Sequence, residues 1–168
     1  MIAFKKTATL CGMLVALALC GISSSLADPA SEVAAIHAVD QVWVKAYNAG
    51  DVDTAASLYD EHAVLLPPGA PAVHGRAAIR AFLAKDMTAS AKEGVTLTLD
   101  VKPAGGASGD MGWASGTFTV KDKSGRVVDT GKYLSVSRKK DGKWHYIRDT
   151  WNSDIPPASA EPAAPAKK

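Results

Sequence analysis

The chain predicts an α+β fold, in which three helices pack on one face of a strongly curved, mostly antiparallel sheet. Three observations carry this. Apolar residues recur at three-to-four-residue spacing in two segments of the first half, the period changes to two from Val95 onward, and Asp141-Gly142 sits between two strand-like runs as a hairpin signal.

The first helix is predicted to carry Ile36, Val39, Trp43 and Ala46/Tyr47 along one stripe and to stop at Gly50. Asp51 starts a second, short helix, in which Leu58 and Tyr59 are expected to pack it down. A buried strand follows at Ala63 to Leu66, then a Pro/Gly loop. The third helix runs from about Gly75, with Ile79, Phe82 and Leu83 on its apolar stripe and Gly94 as a left-handed cap. Val95, Leu97, Leu99 and Val101 then alternate with polar residues as a half-buried strand. A Gly-rich turn is expected from Gly105-Gly106 to Gly109, a strand at Trp113 to Val120 and a turn at Lys123-Ser124-Gly125. The final hairpin pairs Val127 to Lys139 with Lys143 to Asp154.

Residues 1–27 have the layout of a secretory signal: Lys5 and Lys6, an apolar stretch from Leu10 to Ile22, and Ser25-Leu26-Ala27 before the cut. That stretch is shorter than the ~20 residues a spanning helix needs. The expected location is the periplasm or the exterior, with no membrane association once the leader is removed. Both cysteines, Cys11 and Cys20, fall inside the leader, so the remaining chain is held by its core without disulfides. Lys5 and Lys6 also account for the whole formal charge of +2, and a neutral remainder argues against nucleic acid as a partner. Residues 28–155 form one domain of ordinary size, and the Pro/Ala-rich segment 156–168 reads as a disordered tail.

No Gly-x-Gly-x-x-Gly, phosphate loop or Gly-x-Ser-x-Gly occurs, and His37, His62, His74 and His145 lack metal-ligand spacing. Neither a cofactor nor a metal is therefore expected. The candidate site comes instead from hairpin parity. A two-residue turn at Asp141-Gly142 pairs Lys140 with Lys143, Arg138 with His145, Val136 with Ile147, Leu134 with Asp149 and Lys132 with Trp151. One face then holds Lys132, Leu134, Val136, Ile147, Asp149 and Trp151, and the other holds Tyr133, Ser135, Ser137, Trp144, Tyr146 and Arg148. The first is expected to be concave, with Lys132 and Asp149 as a diagonal ion pair. Trp43 and Tyr47 would close over it from the first helix, and Asp149 would be the partner of the Tyr47 phenol. Trp43, Tyr47, Lys132, Asp149 and Trp151 are thus the predicted ligand-binding residues.

The run from Trp43 to Phe82, with Gly50-Asp51, Tyr59 and His74-Gly75-Arg76, resembles the front half of the NTF2-like superfamily. The segment Gly131 to Asp154, with its Gly-Lys-Tyr strand, Asp-Gly-Lys-Trp hairpin and Asp-x-Trp-Asn end, resembles the DUF4440/SnoaL-like branch. The resemblance implies a cone-shaped fold with an internal pocket. It also places the ketosteroid isomerase roles of oxyanion-hole tyrosine, protonated acid and general base on Trp43, Leu134 and Pro67, none of which can fill them.

The leading expectation is a small, mostly apolar ligand in the cone, in a homodimer packed through sheet surface. Two alternatives stand beside it. Asp149 could act as general base in isomerase, cyclase or dehydratase chemistry, although a neighbouring Lys132 would lower its pKa and weaken it. The same scaffold also serves as an association domain in multimeric kinases, and the face with Trp144, Tyr146 and Tyr133 has the aromatic content of an interface.

Overall fold

The computed structural model describes residues 28–100 and 102–156. The leader expected at 1–27 and all but the first residue of the tail expected at 156–168 lie outside them. Helix α1 spans Pro29–Ala49, α2 Val52–Ser57 and α3 Arg76–Glu93. The strands are β1 (Tyr59–Leu66), β2 (Val73–His74), β3 (Thr96–Leu99), β4 (Ala104–Ser108), β5 (Met111–Lys121), β6 (Val127–Lys140) and β7 (Lys143–Ser153). They form one seven-stranded sheet in the order β2-β1-β7-β6-β5-β3, with β4 also paired to β5. Every pairing is antiparallel except β1 with β7, so the sheet is mixed.

Helix α1 begins where the sequence equips it to begin. The Asp28 side chain accepts from the Ala30 amide and Pro29 occupies the first turn. It stops at Gly50, whose φ of 69° lets its amide reach back to the last carbonyls. Two polar clips fix the helix to the sheet. Near its start Glu32 accepts from Lys139 Nζ at 2.6 Å and from Trp144 Nε1 at 2.9 Å. Near its end Asn48 both donates to the Leu97 carbonyl and accepts from the Leu97 amide, at 2.7 and 2.9 Å. The predicted stripes hold: Ile36 and Ala46 on α1, and Ile79 and Leu83 on α3, are buried in the core, with Val39, Trp43, Tyr47 and Phe82 packed against it.

The Gly-rich segment predicted as a turn is strand β4. Its glycines answer a distant requirement rather than a local bend. A Cβ on Gly105 would stand 2.6 Å from His37 Nε2, and one on Gly112 of the paired strand would strike Ile36. Bare backbone there lets α1 lie close on the sheet. Tyr59 does not belong to the second helix either. It opens β1 and is completely buried.

The β6–β7 hairpin turns on Asp141 (φ 52°) and Gly142 (φ 77°), the positive pair that a tight two-residue hairpin requires. From Lys140↔Lys143 to Ser137↔Tyr146 the register is the predicted one. A β-bulge then leaves Ile147 unpaired, and beyond it Val136 pairs with Arg148, Ser135 with Asp149, Tyr133 with Trp151 and Lys132 with Asn152. Parity is reversed from that point. The concave face is the one expected to look outward: Ser135, Ser137, Trp144 and Tyr146 are buried on it. Trp144 and Tyr146 belong to the interior, so they do not form an assembly surface.

The same close packing recurs at Gly131, where an added Cβ would collide with the Phe118 ring and the Asn152 carbonyl. Because the carbonyl is backbone and cannot swing away, Gly131→Ala is expected to cost about 1–3 kcal/mol in a denaturant melt. A loss within experimental error would contradict this packing.

Candidate functional site

A cavity of about 270 Å³ opens between α1, α3 and the concave sheet face. This is close to the lower end of the ~300–1,000 Å³ range of ligand pockets. Four of the five predicted site residues line it: Trp43, Tyr47, Asp149 and Trp151. Asp149 and Trp151 reach it because of the bulge, which turns both inward after the alternation from the hairpin would have turned them out. Lys132 stays on the opposite face. It pairs at 2.6 Å with Asp154, both side chains are about half exposed, and it is no neighbour of Asp149 in the site. The predicted ion pair is therefore replaced by a carboxyl without a cation, and Lys132→Met is expected to leave both the melt and the cavity unchanged.

The aromatic walls are ordered by direct contact. Trp43 and Tyr47, one turn apart on α1, stack with ring centroids 5.1 Å apart and planes 20° apart. Trp151 meets Phe82 of α3 edge-on at 6.3 Å. Apolar Leu83, Leu97, Leu99 and Phe118 complete the sides.

The polar groups are carboxyls held by hydroxyls. Asp149 Oδ2 accepts from the Tyr59 phenol at 2.6 Å, which places at β1 the partner that had been expected from Tyr47. Tyr47 instead donates to Asp86 of α3 at 2.6 Å and lies 2.7 Å from the Ser90 hydroxyl. Asp40 is buried on α1, where it accepts from Tyr146 at 2.6 Å and from Tyr133 at 3.3 Å. Tyr59 and Tyr146 pack against each other with centroids 5.1 Å apart, so the two carboxyl–phenol pairs form one connected floor. Asp129 completes the set, accepting from Ser153 at 2.6 Å.

Burial dominates the electrostatics. It pushes the Asp149 carboxyl up to about 6, and the nearby charge of Asp40 adds to the rise. The hydrogen bonds from Tyr59 and the Thr150 backbone oppose it. Burial likewise raises Asp40 against the hydrogen bonds of Tyr146 and Tyr133 and the charge of His37. The four phenols of Tyr47, Tyr59, Tyr133 and Tyr146 are all pushed up, first by burial and then chiefly by the carboxylates they face, so they act as donors.

Asp40, Tyr59, Tyr133, Tyr146, Asp86 and Phe118 were missed as site residues in the sequence. For Asp40 a signal exists: an acid four residues after Ile36 and three before Trp43 stands on the apolar stripe of α1, where only a partnered carboxyl belongs. Among the described residues no group of three or more His, Cys, Asp or Glu is placed to hold a metal ion.

Comparison with known proteins places this geometry in a family. The chain superposes on an NTF2-like protein with a cystatin-like fold from Novosphingobium aromaticivorans with a TM-score of 0.66. Sequence identity is 20%, over 76% of this chain and 84% of that one. A ketosteroid isomerase-like protein from Erwinia carotovora atroseptica gives a TM-score of 0.57 at 22% identity, over 74% and 98% of the two chains. An NTF2-like protein of unknown function from Pseudomonas putida gives 0.66 at 16%, over 76% and 98%. At these identities the likeness is one of fold. No curated protein matches the sequence. The SnoaL-like domain model matches residues 41–147, more than half of the chain, and stops just short of both Asp40 and Asp149. With its helices packed on a curled, unclosed mixed sheet, the chain has the fold of these NTF2-like structures, and it belongs to the SnoaL-like domain family.

Proposed function

We propose that the cavity binds a small, mostly apolar molecule and that Asp149 moves a proton to or from it, in chemistry of the isomerase, cyclase or dehydratase type. One observation carries this reading: the Asp149 carboxyl faces an aromatic-walled cavity, oriented by Tyr59 and raised to about 6 by burial. A group with that value is ionised near neutral pH yet basic enough to take a proton, the compromise that general-base catalysis requires. The objection from a neighbouring lysine falls away, because Lys132 is held by Asp154 on the other face. The resemblance puts the ketosteroid isomerase roles on Trp43, Leu134 and Pro67, but Leu134 is 45% exposed on the convex face, so the correspondence does not hold for the acid and the reading rests on Asp149 itself.

Export and homodimerisation belong to the same proposal. The leader-like segment 1–27 supports the first. An exposed apolar group on the convex sheet face supports the second, with Leu66, Trp113 and Leu134 each more than 40% exposed. A dimer is expected by light scattering of the leaderless chain, and Leu134→Lys is expected to shift it to monomer. A wild-type monomer at micromolar concentration would remove this part.

Two measurements test Asp149. Screening small ketones and enones for solvent-deuterium exchange should find a substrate whose exchange falls by about 10²–10⁴ in Asp149→Asn. Exchange unchanged by the substitution would sink the catalytic role. Stability supplies an independent readout. Between its ordinary value of 3.8 and about 6, the folded carboxyl keeps a proton that the unfolded one releases. Stability therefore falls as pH rises through that window and stays lower above it. Relative to Asp149→Asn, wild type should lose on the order of 2–3 kcal/mol between pH 4 and 7; parallel curves would mean that the carboxyl is not shielded.

A further inference from the structure

Among the described residues four carboxyls, those of Asp40, Asp86, Asp129 and Asp149, line the cavity, and no lysine, arginine or histidine lines it with them. Each is held by a neutral hydroxyl: Tyr146 and Tyr133 on Asp40, Tyr47 on Asp86, Ser153 on Asp129 and Tyr59 on Asp149. The ion pairs of the described residues all lie elsewhere, on Asp53, Asp110, Asp122, Asp154 and Glu32. His37, whose charge reaches Asp40, faces Gly105 on the sheet side of α1 and is not part of the lining.

Hydroxyl donors soften a buried carboxylate but leave its charge uncompensated, and such a charge is costly in an apolar site. A second, independent feature points to a missing occupant. Ser135 is only 1% exposed and lines the cavity directly across the strand pair from Asp149, yet its hydroxyl has no hydrogen-bond partner. The walls supply the third element. Trp43, Tyr47, Phe118 and Trp151 present aromatic rings to the same space, and ring faces attract cations.

We infer that the natural ligand of this cavity is a small organic cation, an amine or quaternary ammonium on an apolar body, whose positive charge sits among the aspartates and whose body packs on the aromatic walls. This rests on the pocket reading above and adds the charge class of the molecule.

The test is a set of matched probes titrated at pH 8 against the leaderless chain, followed by tryptophan fluorescence and calorimetry. The probes are benzyltrimethylammonium, its neutral carbon isostere neopentylbenzene, and phenylacetate as the anion. The ammonium is expected to bind at least about tenfold more tightly than the isostere, a difference of about 1.4 kcal/mol, and phenylacetate not to bind. The preference should shrink at pH 5, where Asp149 is protonated. It should also shrink in Asp86→Asn, a partly buried helix position whose substitution spares the Asp40–Asp149 floor, and in Asp149→Asn. If the isostere binds as well as the ammonium, the cation inference fails while the apolar pocket stands. A preference unchanged in both variants would place the cation outside the cavity and also overturn the inference. Binding of none of the three would overturn the inference together with the pocket reading it rests on.

Discussion

One unpaired residue decides what this cavity contains. The tight turn at Asp141-Gly142 sets the alternation of the last hairpin, and an unbroken ladder would carry Asp149 and Trp151 to the convex face. The bulge at Ile147 reverses the alternation once, between Tyr146 and Arg148. Trp144 and Tyr146 before the bulge and Asp149 and Trp151 beyond it then all face inward, and a strand that would otherwise offer alternate chemistry to two sides puts an acid and an indole over the same core as Tyr146.

Placing an acid inside is unfavourable unless its oxygens are satisfied, and the arrangement of the floor follows from that requirement. The parallel pairing of β1 with β7 sets Tyr59 against Tyr146, and Tyr59 then reaches Asp149 while Tyr146 reaches Asp40 on the helix above. Phenols suit this role because each supplies one strong donor at the end of a large apolar ring, so satisfying the carboxyl does not wet the core. Glu32 and Asn48 hold the two ends of α1 on the sheet, and the glycines of β4 and β5 bring it close enough for Asp40 to meet its two partners.

Local signals in the sequence were sufficient for the helices, the strands with clean alternation and the turn type. The stripes of α1 and α3, the helix stop at Gly50, the αL cap at Gly94 and the Asp-Gly bend are each written in adjacent residues, and each appears as read. What failed depends on contacts between distant segments. No residue at 146–148 announces a bulge, since Ile147 is neither glycine nor polar, so parity counted from the turn was right for the first pairs and inverted for the rest. Expecting the Lys132, Leu134 and Val136 face to be concave is what makes Lys132 a site residue and Trp144 and Tyr146 surface residues. The Gly105-Gly106 pair was read as a bend because a glycine chosen for helix approach looks the same in sequence as one chosen for a turn. Asp149 and Trp151 line the cavity all the same, because the bulge moves them off the Lys132 face that parity predicts and onto the face that is concave.

The central claim is that the bulge commits the Asp149 carboxyl to the interior, against Tyr59 and out of reach of Lys132. Its most direct test is a carbon-13 NMR titration of the Asp149 side-chain carboxyl in the chain lacking residues 1–27, assigned with Asp149→Asn. A midpoint near 6 is predicted. A midpoint at or below the ordinary aspartate range of ~4 would mean that the group meets water or a cation, and the account of the site would be wrong.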